Sequence, residues 1–555
     1  MIPTIVKRLL LNRHTFFLAG LSLYLWLADP LIEWTKGQLR MEIPLLLYLY
    51  VWLNVLVKAS PWQPVVAAVP LAALYLAHDY YFLRFFRIPK LNDFVQIPEL
   101  IGVLGFWGNL ALFGAALALL YLMALFLRPS VKALAWALPG VIVFSAPFVW
   151  PEVYLQLFSR LSIEVIHYAA VVNVEYNGRL ATALYHEAKR RDTMNHISQY
   201  RDMTKLSLTL PPALETVDAA NGRNVHMIVL EGFLDPTLLT NLPEKIDPVH
   251  PELTALLGTQ QGFSVSPVFG GYTSQAEFEV LCGVPAFQEF DEIEFNVFTG
   301  AETYCLPRIL HRLGYQTMAS NGFKPDFFNT IPAYRGIGFD EVYFSKEYTP
   351  SLETYLSKGE AKDNKYFFDG DLFDQNLAFV KRRLEEKKPF FNYVLTVYGH
   401  FPFEYGSRVG PPRFKMAGIP WDLERILNQH YYRGKALADY LKQLMALDPN
   451  ALIVVVSDHL PPLEGGFGAY EKFGYLQPNL ADRFHRNRFL VFRDGKLETH
   501  DIFYHFNIYR LILDYVTRQG YCQARSCDFR HPLDKETLRD DYRIIMGLAS
   551  RPVAP

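Results

Sequence analysis

The chain is poor in cysteine and almost free of net charge. Only four cysteines occur in 555 residues, and all of them, Cys282, Cys305, Cys522 and Cys527, fall in the later, more polar part. Lys and Arg number 54 against 56 Asp and Glu, a formal net charge of -2. No basic stripe or nucleic-acid motif interrupts that balance, so nucleic acid is excluded as a partner. Internal repeats and low-complexity tracts are lacking too, which argues against a solenoid or an array. An even number of cysteines confined to one region suggests two disulfides, Cys282 with Cys305 and Cys522 with Cys527, although four cysteines permit three connectivities. Four unrelated buried thiols are the alternative, and a location outside the cytoplasm would favour oxidation.

What is abundant is apolar residues, 51% of the chain, and they are concentrated in the first third. After a short basic stretch with Lys7, Arg8 and Arg13 come five apolar segments, approximately 15 to 34, 43 to 59, 62 to 82, 101 to 127 and 132 to 150. Most are near the ~20 residues needed to span a bilayer. No small-residue cleavage site follows the first, so it reads as a span and not as a removed signal. With the N-terminus inside, Lys58, Arg128 and Lys132 join the cytoplasmic charges, and everything after Trp150 lies outside. The later domain is therefore expected outside the cytoplasm, where cysteines oxidise. The loop from His78 to Arg87 mixes aromatics with arginines and reads as an interfacial anchor or a phospholipid contact.

The domains expected are a transmembrane part over 1–150, interfacial helices and a linker over 151–221, a catalytic domain over 222–545 and a loose tail over 546–555. After Arg223, strand-like runs at His226 to Leu230, Tyr315 to Ala319, Phe390 to Thr396 and Leu452 to Val456 alternate with helical patterns. Such alternation predicts an α/β domain with a mainly parallel sheet. The fold class read from the sequence is thus a five-helix membrane bundle followed by that domain.

Three stretches carry chemistry. Gly270-Gly271-Tyr272-Thr273-Ser274 places a hydroxyl after a tight turn, where a helix with Glu277, Phe278, Val280 and Leu281 begins. A hydroxyl there is either a nucleophile facing unpaired amides or an ordinary N-cap. One strand runs into Glu231 and another into Asp458-His459, and ligands of open α/β sheets gather beyond the carboxyl ends of strands. Glu231, Thr273, Asp458 and His459 make a mixed oxygen and nitrogen set that suits one divalent metal ion, manganese or zinc. The lack of cysteine ligands argues against a structural zinc site.

Val229-Leu-Glu231-Gly-Phe233, Gly271-Tyr-Thr273-Ser274 with Glu277-Phe278, Tyr398-Gly-His400-Phe-Pro-Phe403 and Ser457-Asp458-His459 carry a resemblance. The chain resembles the lipoteichoic acid synthase and phosphoglycerol transferase family, in the sulfatase-like branch of the alkaline phosphatase superfamily. The resemblance implies a sulfatase-like fold, a catalytic manganese on Glu231, Thr273, Asp458 and His459, Thr273 as nucleophile, and His400 as phosphate contact or proton carrier. One departure stands out. Phe328-Asn329-Thr330 occupies the place where lipoteichoic acid synthases show Trp-Asn-Arg, and Thr cannot replace a bidentate phosphate-binding Arg.

The expected activity is transfer of a phosphoglycerol headgroup from phosphatidylglycerol to a hydroxyl of a periplasmic glycan, through a phosphothreonine. Phosphatidylethanolamine as donor, simple ester hydrolysis and a non-catalytic lipid sensor are the alternatives.

Overall fold

The computed structural model describes residues 38–85, 110–162, 174–344 and 366–553 apart from short internal breaks. The chain divides into two compact units, 1–195 and 196–555.

In the first unit, helices α1 (Ile43–Leu56), α2 (Gln63–Phe85), α3 (Val131–Val149), α4 (Pro151–Leu161) and α5 (Arg179–Ile197) are described. Leu46, Tyr50 and Leu53 of α1 are buried with Ala67, Ala68, Leu71 and Tyr75 of α2. Glu42 accepts hydrogen bonds from the amides of Leu180 and Ala181, which satisfies two orphan donors at the start of α5. The expected span at 15–34 lies outside the described residues, and most of 101–127 does too. Among the described residues, no single helix is long and apolar enough to cross a membrane, while α3 from Ala133 and α4 pass that test together across a 107° bend. The five-helix bundle therefore rests on the sequence pattern alone.

The second unit is built on a sheet with strands β1 (Val225–Leu230), β2 (Phe263–Val265), β3 (Gln316–Asn321), β4 (Glu341–Tyr343), β5 (Phe390–Leu395), β6 (Leu452–Ser457), β7 (Arg486–Arg493), β8 (Lys496–Glu498) and β9 (Ile502–Tyr504). Its order is β4-β3-β5-β1-β6-β7-β2-β9, with β8 paired to β7. The five strands from β4 to β6 are parallel, and β7 runs against them. β1, β5 and β6 are buried at every position, as expected for central strands covered on both faces. On one face, Ile228, Val394 and Val455 pack under helices α8 (Asp369–Glu385) and α9 (Trp421–Leu447). The opposite face carries α6 (Thr273–Cys282), bound through Glu277 to Tyr393 of β5 and to Tyr334 of α7 (Thr330–Ile337). Helix α10 (His505–Val516) packs against α6.

Both expected disulfides are present, Cys282 with Cys305 and Cys522 with Cys527. Two boundaries move. The unit begins near His196, earlier than the expected 222, because the polar linker is held to the domain, with the Asn221 amide donating to the Val516 carbonyl. At the other end, helix α11 (Arg539–Ala549) runs into the expected loose tail and buries Met546, Leu548 and Ala549. The Thr299 amide and hydroxyl both donate to the Ala549 carbonyl.

Candidate metal centre and nucleophile

β1, β5 and β6 end side by side because Val229 is in register with Leu395 on one flank and Val456 on the other. The ladder continues one step, with the amides of Thr396 and Asp458 donating to the carbonyls of Val229 and Leu230 at 3.0 and 3.1 Å. Beyond that step the chains separate, and their polar groups turn toward each other. The Glu231 amide donates to Thr396 Oγ1 at 3.1 Å and the Gly232 amide to Asp458 Oδ1 at 2.8 Å. Gly232 has φ of 50°, a conformation that costs a side-chain-bearing residue energy.

Thr273 arrives from another direction. Gly270, Gly271 and Tyr272 all have positive φ, and the Gly270 amide donates to the Leu460 carbonyl at 3.1 Å, which ties this turn to the loop after β6. Tyr272 occupies the N-cap position without a side-chain cap, and Thr273 is the first residue of α6. Thr273 is thus the first helical residue and not the N-cap, and its hydroxyl donates to Glu231 Oε2 at 2.8 Å. The ordinary N-cap alternative fails on that geometry.

Ligand atoms of Glu231, Asp458 and His459 lie within 4.8 Å of one another, and all three residues are buried. His459 Nε2 stands 3.6 Å from Glu231 Oε1 and 3.3 Å from Asp458 Oδ2. His459 Nδ1 is 2.9 Å from the Leu460 carbonyl, so it carries the proton and donates, which leaves the Nε2 lone pair facing the carboxylates. Asp458 Oδ2 and His459 Nε2 are buried without a hydrogen-bond partner. Burial, and then the charge of Glu231, push the Asp458 carboxyl up to about 7. For His459, burial lowers the imidazole, but Asp458 and Glu231 together carry it above its usual value. Crowded acceptors with unmet partners fit a divalent cation, which would give each its missing partner. The oxygen and nitrogen donors do not choose between manganese and zinc.

His400 lies in the loop after β5. Its Nδ1 donates to the Phe401 carbonyl at 2.9 Å, and its ring lies 4.9 Å from that of Tyr366 and 6.4 Å from that of Phe323. The loop is pressed onto the segment of Glu231, so closely that a Cβ on Gly399 would collide with the Glu231 carbonyl oxygen. Thr330, in place of the expected arginine, is buried at the start of α7. Beside it Asn329 Nδ2 donates to the carbonyls of Phe295 and Phe298 at 2.7 and 2.8 Å.

Two residues escaped the sequence reading. Arg433 of α9 is buried, bonded to Asp369 Oδ2 at 2.6 Å and to the Glu231 carbonyl at 2.7 Å. Nothing in a long amphipathic helix distinguishes this arginine from the exposed ones. Glu277, one turn along α6 from Thr273, is read from sequence only as part of a motif. Its carboxyl is buried and receives the hydroxyls of Tyr334 and Tyr393. Burial raises it to about 7, the two tyrosines oppose that rise, and the charges of Asp458 and Glu231 add to it.

Residues 223–516, more than half of the chain, match the sulfatase family. A protein assigned to cyclic beta-1,2-glucan modification in Rhizobium meliloti is 30% identical over 266 residues, covering 47% of this chain and 38% of that protein. Lipoteichoic acid synthase of Staphylococcus saprophyticus is 24% identical over 334 residues, covering 58% of this chain and 48% of that enzyme. These matches span less than half the length of either relative. Among solved structures, Streptococcus pyogenes phosphoglycerol transferase GacH, in complex with sn-glycerol-1-phosphate, aligns with a TM-score of 0.44 at 14% identity, covering 64% of this chain and 90% of that one. A strand order that brings Glu231 and Asp458-His459 to one end of a parallel sheet, opposite a hydroxyl-bearing helix start, agrees with the family match, and this chain belongs to the sulfatase family.

Proposed function

We propose that this chain is a metal-dependent transferase that moves a phosphoglycerol headgroup from phosphatidylglycerol to a hydroxyl of a periplasmic glycan. The observation that carries the reading is the Thr273 hydroxyl, held 2.8 Å from Glu231 Oε2 at the edge of a buried Glu, Asp and His group. A hydroxyl so placed is restrained in rotation, and its remaining lone pairs are free for phosphorus. Glu231, Thr273, Asp458 and His459 would hold a divalent cation, which would supply Lewis-acid polarisation and a lowered hydroxyl pKa.

In the first half-reaction Thr273 Oγ1 forms a bond to phosphorus as its proton leaves. The bond from phosphorus to the diacylglycerol oxygen breaks, and that oxygen takes up a proton. In the second, the acceptor hydroxyl bonds to phosphorus, loses its proton and releases Thr273 Oγ1. His400, in the loop pressed against Glu231, carries protons between these oxygens. The relatives named for lipoteichoic acid synthesis and for glucan modification support a headgroup donor and a glycan acceptor.

Phosphoethanolamine transfer by the same steps is the second reading, favoured by Thr330 in place of an arginine. Mass spectrometry after incubation with phosphatidylglycerol or phosphatidylethanolamine tests both, since the adduct mass on Thr273 names the headgroup. No adduct with either lipid, together with no uptake of manganese or zinc, would leave the lipid-sensor alternative.

A periplasmic site on an inner-membrane protein is part of the proposal. Two disulfides support it, and so do the exposed apolar side chains of α3, Leu134 at 73% and Leu138 at 61%. An Ala554→Cys variant in cells with a permeabilised outer membrane should react with a thiol reagent that cannot cross the inner membrane.

A further inference from the structure

A ridge of phenylalanines stands beside the nucleophile turn. Phe269 immediately precedes Gly270, and Phe467 follows Gly465-Gly466 in the loop that leaves His459. The Phe467 ring lies 4.5 Å from Phe269 and stacks on Phe484 at 4.7 Å. Phe269 and Phe484 lean on the apolar cluster around Tyr470 and Leu463, while Phe467 remains 48% exposed. A ring left half in water adds little to the fold, so burial does not account for a phenylalanine at this position.

The chemistry of the ridge selects its occupant. Its rings carry no hydrogen-bonding atom, which suits an acyl chain. Cations border the rings, as they do where a protein meets lipid headgroups. Arg483 lies 4.4 Å over the Phe484 ring and pairs with Glu471, and Lys472 ends the short helix that Phe467 begins. The leaving group of the proposed first half-reaction is diacylglycerol, which is apolar. We infer that Phe269, Phe467 and Phe484 form a wedge that enters the surface of a phospholipid bilayer and holds the apolar part of the donor beside Thr273. This rests on the proposed lipid donor.

The test uses the full-length protein in vesicles of phosphatidylethanolamine and phosphatidylglycerol. All four cysteines are paired, so a Phe467→Cys variant carries a single free thiol for a nitroxide label. Val217, 61% exposed and packed at Gly314 before the amino end of β3, gives the control position as Val217→Cys. The label at 467 should collide with oxygen far more than with a water-soluble nickel complex, and the label at 217 should do the reverse. A Phe467→Ser variant should lose roughly ten-fold in kcat/KM for the vesicle-borne donor with an unchanged KM for the acceptor. Full nickel access at 467 overturns the wedge, and so does a rise confined to the acceptor KM, which would make the ridge a glycan platform. A label in the apolar phase on a protein that transfers no headgroup would leave the wedge standing and overturn the proposed function.

Discussion

Arg433 donates to the backbone carbonyl of Glu231 at 2.7 Å while its Nε bonds to Asp369 at 2.6 Å, so one buried guanidinium holds the strand end from which a candidate metal ligand projects. Gly399 passes through the same spot, and a Cβ there would collide with Arg433 Nη1 as well. The loops of Glu231 and His400 and the first turn of α8 at Asp369 thereby meet at one side chain.

Arg433→Met should destabilise the domain by about 3–5 kcal/mol, because it leaves the Asp369 carboxylate buried without a counter-charge. Adding Asp369→Leu should recover part of that loss. Chemical denaturation of the two variants checks the order, and equal stability of the single and double variants would contradict it.

Gly399→Ala should cost about 1–3 kcal/mol and slow turnover, since the added methyl must displace either the Glu231 carbonyl or the guanidinium. Thermal unfolding measures the first effect, and headgroup transfer at saturating donor the second.

Thr273→Ala should abolish transfer at a stability cost of about 1 kcal/mol, the loss of one hydrogen bond to Glu231. Thr273→Ser keeps the hydroxyl and should retain some transfer. A Thr273→Ala variant that transfers at a rate close to the parent would replace the covalent route by direct attack of the acceptor.

Stability of the metal-free protein should fall as pH rises. The Glu277 carboxyl is raised from its ordinary 4.5 to about 7 in the folded chain, chiefly by burial. Between those values the unfolded chain binds fewer protons than the folded one, so the contribution is complete below about 4.5 and is lost as pH passes about 7. Glu279 and Glu294, raised by burial to about 7 and about 8, act in the same direction. Glu277→Gln should therefore flatten the profile of stability against pH without abolishing its slope, as read by urea unfolding at a series of pH values.

Reducing Cys282–Cys305 should cost about 3 kcal/mol in the chain-entropy picture, since it closes a loop of 23 residues between the end of α6 and the helix Leu306–Arg312. Both sulfurs are buried, so alkylation should require unfolding or strong reductant. Non-reducing peptide mapping that found free thiols at both positions would contradict the pairing.

Glu231, Thr273, Asp458 and His459 were legible in the sequence because each sits at a punctuation point, after an apolar run or a Gly-Gly pair, where local pattern alone marks a strand end or a helix start. The alternating strands and helices, and both cysteine pairs, were legible for the same kind of reason. Local pattern does not say which strands are neighbours. The register of β1 with β5 and β6 decided that Glu231 and Asp458 meet, and the turn bonded to Leu460 decided that the Thr273 hydroxyl faces Glu231. Arg433, and the buried setting of Glu277, could be found only in three dimensions, because an arginine or a glutamate in a helix has the same sequence signature whether it faces water or lies beneath the site. Burial of Met546 and Leu548 at the end of α11 likewise depends on a surface contributed by distant parts of the chain, which local pattern does not show. Sequence thus determined which side chains are candidates for the chemistry, and tertiary structure determined what each one touches, because long-range contacts fix orientation where short-range pattern fixes only element type.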